Sequence, residues 1–186
     1  LEPTNFKYTS PEFQGIFISH IHYDHSTHIR YVDGQIPVYL GATALRIDHI
    51  GSTSVPGLDA KPIIDIQISV ASFDSLEAFR GPIESLGFVF RANNPDLTKR
   101  YFREAPGERR THIHVCRAGS WREQFALLFR DYMRTHSEDA KQYAELKYKL
   151  ADQYGDDRQG YTEAKGHFVW QVMMKADRWN QTIGWK

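Results

Sequence analysis

The chain has 186 residues, of which 41% are hydrophobic and 25% charged, a composition typical of one globular domain with a substantial core. Basic and acidic residues both number 23, and this balance argues against a nucleic-acid partner held mainly through its phosphates. No apolar run approaches the roughly 20 residues of a membrane span. Cys116 is the only cysteine, which excludes an intrachain disulfide, and we expect a cytoplasmic protein.

The chain divides into three zones of different texture. Residues 1–43 are polar and hold four of the nine histidines between His20 and His28. Short strands are predicted there at residues 15–19 and 36–40. Residues 44–117 are typical of strands and turns with one helix, and the remaining zone is typical of helices.

The middle zone opens with a strand at residues 45–50, followed by a turn rich in Gly, Ser and Pro. The next strand, at residues 63–70, alternates strictly from Ile64 onwards. Its apolar side chains share one face: Ile64, Ile66, Ile68 and Val70. Its polar side chains share the other: Asp65, Gln67 and Ser69.

A helix is predicted over residues 72–86, with Ser72 as its cap and Gly87 as its stop. Two strands follow at residues 101–103 and 111–116, and a Pro-Gly turn joins them. His112 and His114 lie on one face of the second of these strands. If it neighbours the strand of Asp65 and Gln67, all four side chains line one polar surface.

Apolar residues recur at three- and four-residue steps in the C-terminal third, which predicts helices. The first runs from about residue 121, the second is capped by Ser137, and the third covers residues 161–179. The pattern as a whole predicts an α+β domain, with helices packed on a mixed or antiparallel sheet.

The turn that contains Gly51 and Ser52 is the first candidate site. A small-residue turn after a strand lets backbone N–H groups and a hydroxyl approach a phosphate closely. Asp65 lies one short connection away, where a carboxylate and phosphate oxygens together suit Mg²⁺ or another divalent cation. The alternative is that the turn is structural and that His112 and His114 are simply solvated.

Several motifs resemble the GrpB family, and they are collinear over about 135 residues within residues 44–179. They are HIGSTSVPGL at 49–58, AKPIIDI at 60–66, THIHV at 111–115, LFRDY at 128–132, YAELK at 143–147 and YTEAK at 161–165. The resemblance implies a nucleotidyltransferase-type fold for these residues, with 180–186 as a tail. The family's biochemical role is largely unassigned.

The resemblance also implies roles for individual residues. Gly51 and Ser52 would occupy the superfamily's phosphate-binding Gly-Ser, and Asp65 would be its first metal carboxylate. The second acid of the superfamily is replaced here by Gln67, and the His-x-His strand stands where the third acid is expected. Two-metal phosphoryl transfer is therefore not supported. The expectation is a nucleotide- or phosphate-binding site, or an altered one-metal chemistry with Asp65 and His114.

Cations within these motifs are candidates for holding an anionic ligand, alongside Gln67 and His112. They are Lys61, Arg130 and Lys147, with Arg134 and Lys165 as further candidates. The alternative for Arg130 and Lys147 is pairing with nearby acids on a solvated face.

A second metal motif lies in the N-terminal segment. The spacing of His20, His22, Asp24 and His25 resembles the H-x-H-x-D-H motif of the metallo-β-lactamase superfamily, which would bind zinc. That resemblance covers only residues 14–43, so residues 1–43 are predicted to be an atypical segment. Adventitious zinc or nickel binding is expected there, because clustered imidazoles bind these metals readily.

Three functional hypotheses follow from these patterns. The first is a protein that binds a nucleotide or another small phosphate-bearing ligand, with nucleotidyltransferase-like chemistry as one outcome. The second is a catalytically inactive binding or accessory module, which Gln67 favours. The third is a metal-dependent hydrolase that uses the N-terminal histidines.

Overall fold

The computed structural model describes residues 40–185, which contain five strands and four α-helices. In chain order these are β1 (Arg46–Ile50), β2 (Ile64–Val70), α1 (Glu77–Ser85), β3 (Phe88–Phe90), β4 (Lys99–Glu104), β5 (Thr111–Arg117), α2 (Trp121–Thr135), α3 (Ser137–Tyr154) and α4 (Arg158–Ile183). The predicted N-terminal strands, apart from Leu40, and the predicted zinc ligands His20, His22, Asp24 and His25 lie outside the described residues.

The strands form one mixed sheet in the order β1-β2-β5-β4-β3. Strands β2 and β5 pair in parallel, whereas the other neighbours are antiparallel. The parallel register sets Asp65 opposite His112 and Gln67 opposite His114. This sheet and the helical C-terminal third confirm the predicted α+β fold.

The apolar face of the sheet packs against α1. Ile64, Ile66 and Ile113 are fully buried there, together with Phe79 and Ile83 of the helix. Burial of each such side chain contributes about 2 kcal/mol, so this face anchors β2 and β5, the strands that carry the candidate site.

The polar face of β2 lies beneath α2 and is also largely buried. Gln67 and Ser69 are 1% and 0% exposed. The Ser69 hydroxyl donates to the buried carboxylate of Glu123 in α2, which also accepts the Gly119 N–H at 2.6 Å. Because buried polar groups require partners, this network fixes α2 across the sheet.

The three C-terminal helices pack on one another around a second core. Tyr132, Met133 and Tyr143 are buried in it, with Val172 and Ala176 of α4. None of the helices in residues 40–185 is both long and apolar enough to cross a membrane.

Several predicted boundaries are wrong. Helix α1 begins at Glu77, because the Ser72 hydroxyl is engaged in a local turn with Asp74 instead of capping a helix. Ser137 is the first residue of α3, and no side chain caps that helix. Helix α4 continues through Ile183 into the predicted tail.

Candidate functional site

The centre of the site is a cluster of one carboxylate and two imidazoles on neighbouring strands. Asp65 Oδ1 lies 3.2 Å from His112 Nδ1 and 3.1 Å from His114 Nε2. The ring of Tyr101 packs beside both imidazoles, with centroid separations of 5.6 and 5.2 Å. The parallel register of β2 and β5 creates this cluster, since it aligns side chains from two strands on one face.

The protonation states in this cluster follow from its burial and its hydrogen bonds. Burial opposes the ionisation of Asp65, but the hydrogen bonds from His112 and His114 hold its pKa well below the ordinary value. Burial lowers the pKa of His114, although its hydrogen bond to Asp65 acts in the opposite direction. At neutral pH the site therefore contains an ionised Asp65 beside a neutral His114 imidazole.

Gly51 brings the turn after β1 directly over Asp65. Its φ is +72°, a left-handed conformation that favours glycine, and the next three residues form a short 3-10 turn, Ser52–Ser54. A Cβ on Gly51 would lie only 2.7 Å from Asp65 Oδ2. Both the backbone conformation and the available space therefore require glycine here.

Lys147 of α3 joins this turn from the helical side. Its Nζ donates to Ser52 Oγ at 3.2 Å and to the Asp59 carbonyl at 2.5 Å, and it lies 4.8 Å from the centroid of Tyr143. Burial, followed by repulsion from Lys165, lowers the pKa of Lys147 to about 7. Both of these acceptors are neutral oxygens, so neither balances the charge of the buried ammonium.

A pocket of about 160 Å³ opens between the turn and the helices. Its walls contain three lysines and one acid among nine residues: Ser52, Thr53, Ala60, Lys61, Ile63, Asp65, Lys147, Tyr161 and Lys165. The centroid of the Tyr161 ring lies near two of the cations, 5.3 Å from Lys61 Nζ and 5.4 Å from Lys165 Nζ. We call this cavity the lysine pocket.

Two predicted ligand-binding residues point elsewhere. Gln67 is buried against α2, where its Nε2 donates to the Glu123 carbonyl at 3.4 Å. Arg130 is buried between Asp48 and Asp131, and its NH1 also donates to the His49 carbonyl. Neither lines the lysine pocket, and Arg130 is a structural ion-pair partner that joins α2 to β1.

The pocket also contains residues that the predicted set omits or interprets differently. Lys165 is only a further candidate from the motifs, and Tyr161 is not among the predicted ligand-binding residues. The spacing of Tyr161 and Lys165 is a sequence signal for both, since residues four apart share one face of a helix.

Comparison with known proteins identifies the chain's relatives. A family described as "GrpB protein" matches residues 17–175. The chain belongs to the GrpB family. The crystal structure of the conserved protein GrpB from Enterococcus faecalis superposes with a TM-score of 0.72 at 29% identity, covering 81% of this chain and 91% of that one. The family prediction is thereby confirmed, although the match begins within residues 1–43, and the boundary at residue 43 stays a prediction.

Relatives of known sequence add no specific activity to this GrpB-family chain. UPF0157 protein PA4798 from Pseudomonas aeruginosa is 40% identical over 141 residues, which are 74% of this chain and 57% of that protein. A protein named dephospho-CoA kinase from Mycobacterium leprae is 30% identical over 175 residues, covering 78% of this chain and 42% of that protein. The chain spans about half the length of the first curated relatives it matches.

Proposed function

We propose that this chain binds a small phosphate-bearing molecule, of the nucleotide class, in the lysine pocket. The observation that carries the proposal is the convergence of Lys61, Lys147 and Lys165 on one small cavity. Burial, followed by repulsion from Lys165 and then Lys61, lowers the pKa of Lys147, so the cavity disfavours its positive charge. A phosphate would supply the opposing charge and accept hydrogen bonds from several of these donors.

The size of the pocket limits which part of a ligand enters it. At about 160 Å³ it is smaller than the roughly 300–1,000 Å³ of pockets that enclose whole drug-sized molecules. A phosphoryl group fits such a volume, and the remainder of a nucleotide would extend outside it. Ser52, at the start of the 3-10 turn, adds a hydroxyl to the lysine donors.

The direct test is binding of phosphate-bearing probes to the purified full chain. We would titrate inorganic pyrophosphate, ATP and dephospho-CoA by calorimetry in EDTA; the last probe is included because of the Mycobacterium leprae relative's name. Lys147→Met is expected to weaken binding at least tenfold, since it removes a buried donor from the pocket wall. Lys149→Met, an exposed position on the same helix, is the matched control.

Equal weakening in Lys147→Met and Lys149→Met would mean that the probes bind through general surface charge. Failure of all three probes to bind the wild-type chain would refute the proposal. If Lys147→Met keeps its affinity for the probes but Lys61→Met loses it, the result would still support binding in the lysine pocket.

The position of Gln67 favours a second candidate function, that of a module that binds the ligand without catalysing its reaction. A nucleotidyltransferase of the usual kind needs a second carboxylate there, but this side chain is an amide that faces Glu123 and Cys116. Incubation with ATP, with water as the acceptor of the adenylyl group, and quantification of the AMP and pyrophosphate formed separates the candidates. Turnover that is lost in Asp65→Asn would support an enzyme, whereas binding without turnover would support the module.

A further inference from the structure

We infer that Asp65, His112 and His114 form a site for a single metal ion of intermediate softness, such as Zn²⁺ or Fe²⁺, at the mouth of the lysine pocket. The first observation is the convergence of the three side chains: one ligand atom from each lies within 4.8 Å of the other two. Two imidazoles and one carboxylate form a ligand set that recurs in zinc hydrolases and in iron oxygenases.

The spacing of the ligand atoms fits a metal ion. Ligands about 2.1 Å from a zinc ion are separated from one another by roughly 3.0–3.4 Å. Asp65 Oδ1 lies 3.2 and 3.1 Å from the nearer nitrogens of the two imidazoles. Both imidazole nitrogens lie beside the same carboxylate oxygen, and all three ligand atoms lie within 4.8 Å of one another, so an ion bound to all three would need the two nitrogens to turn from that oxygen towards a shared position.

In each imidazole, the ring nitrogen that faces away from Asp65 is available to carry a proton. His112 Nε2 and His114 Nδ1 are buried and lack a hydrogen-bond partner in the structure's described part. A metal-bound imidazole needs its lone pair on the coordinating nitrogen and its proton on the other one. The far nitrogen of each ring has no existing partner to lose when it takes that proton, and the metal ion replaces the hydrogen bond that each near nitrogen makes to Asp65.

The donor types distinguish this site from the Mg²⁺ site implied by the superfamily resemblance. Mg²⁺ prefers oxygen ligands in an octahedron, and the residue that should supply the second carboxylate is Gln67, which faces α2. Imidazole nitrogen suits zinc, iron, cobalt and nickel. The residues present therefore do not fit Mg²⁺, whereas they do fit metals of intermediate softness.

The open side of the cluster faces the proposed ligand. Asp65 lines the lysine pocket, and its side chain is 26% exposed, whereas the His114 side chain is 11% exposed on the closed side. Three protein ligands leave at least one coordination position of a zinc ion open. That position is available to a phosphate oxygen or to water, which deepens the proposed function by adding a cation beside the lysines.

The test uses metal ions alone, without any phosphate compound, so its result is separate from that of the ligand titrations in EDTA. The N-terminal histidines would confuse a simple zinc count, so the protein is the full, untagged chain with His20→Ala, His22→Ala and His25→Ala. We would titrate it with Co²⁺, whose visible spectrum reports nitrogen ligation, and with Zn²⁺ and Mg²⁺. One equivalent of Co²⁺, displaced by Zn²⁺ but not by equimolar Mg²⁺, is expected.

Variants in the same background locate the ion. His112→Ala and His114→Ala are expected to weaken Co²⁺ binding at least tenfold, whereas His167→Ala, an exposed histidine of α4, is expected to leave it unchanged. Should either variant fail to fold, the zinc-loaded protein that retains His112 and His114 is measured by X-ray absorption at the zinc edge. Two imidazole ligands per zinc ion are expected. The inference would be overturned if Co²⁺ did not bind stoichiometrically, or if the zinc-edge absorption spectrum showed no imidazole ligand. It would also be overturned if Co²⁺ still bound to folded His112→Ala and His114→Ala variants.

Discussion

Replacement of Lys147 by Met is expected to stabilise the protein at neutral pH. The pKa of this lysine falls from an ordinary value of 10.5 to about 7 in the folded chain. At about 1.4 kcal/mol for each pKa unit, that change costs the folded state about 4 kcal/mol at pH 7. Met fills a similar volume but loses hydrogen bonds to Ser52 and Asp59, which contribute about 1 kcal/mol each. The net expectation is a gain of about 2 kcal/mol.

The sign of this effect depends on pH. Because the folded pKa of Lys147 is the lower one, the unfolded chain binds more protons between about pH 7 and 10.5. The wild type therefore gains stability relative to Lys147→Met as the pH rises through this window. Near pH 10.5 the charge penalty vanishes, the lost hydrogen bonds remain, and the wild type becomes the more stable protein.

Urea unfolding at pH 7, 8.5 and 10 measures the difference directly, with Lys149→Met as a control whose difference from wild type should stay near zero. A Lys147→Met variant that is less stable than wild type at pH 7, by an amount that does not change with pH, would refute the reasoning. It would mean that Lys147 is fully charged in the fold and that its hydrogen bonds outweigh its burial.

Three further predictions concern the supports of the site. Gly51→Ala is expected to destabilise the fold by about 2 kcal/mol and to weaken Co²⁺ binding, because its Cβ would meet Asp65 at 2.7 Å; unchanged unfolding and metal titrations would contradict this. Arg130→Met should cost about 2 kcal/mol, because Asp48 and Asp131 lose their buried partner and keep only the more exposed Arg46 and Arg134, yet it should leave pyrophosphate affinity within twofold by calorimetry. Glu123→Ala should cost about 2 kcal/mol in urea unfolding, because the buried Ser69 hydroxyl and the Gly119 N–H lose their acceptor.

The strands and the cluster of Asp65, His112 and His114 were largely predictable from strand alternation. The two-residue period placed Asp65 and Gln67 on one face of β2, and His112 and His114 on one face of β5. The outcome depends on the parallel register, which pairs Asp65 with His112, and local sequence does not encode which strands become neighbours. The predicted polar surface exists, but Gln67 lies in the part of it that α2 covers.

The lysine pocket was predictable only in part, because it depends on tertiary packing. Lys61 and Lys147 were candidates from motifs, but 86 residues separate them in the chain, and only the docking of α3 on the turn brings them together. Strand β3 was missed because three residues after Gly87 give too short a pattern to distinguish a strand from a loop. Arg130 shares its motif with no pocket residue, so the motif could not separate structural cations from pocket cations.

A crystal structure of the full chain soaked in tungstate would show whether the lysine pocket holds a phosphate group. Tungstate has the shape and charge of a phosphate, and its anomalous signal locates it without reference to a refined model of the ligand. We expect a tungstate ion in contact with Lys147 Nζ and with at least one of Lys61 and Lys165 in the wild type, and none there in Lys147→Met. Tungstate bound only at other surfaces, with an empty lysine pocket, would contradict this expectation.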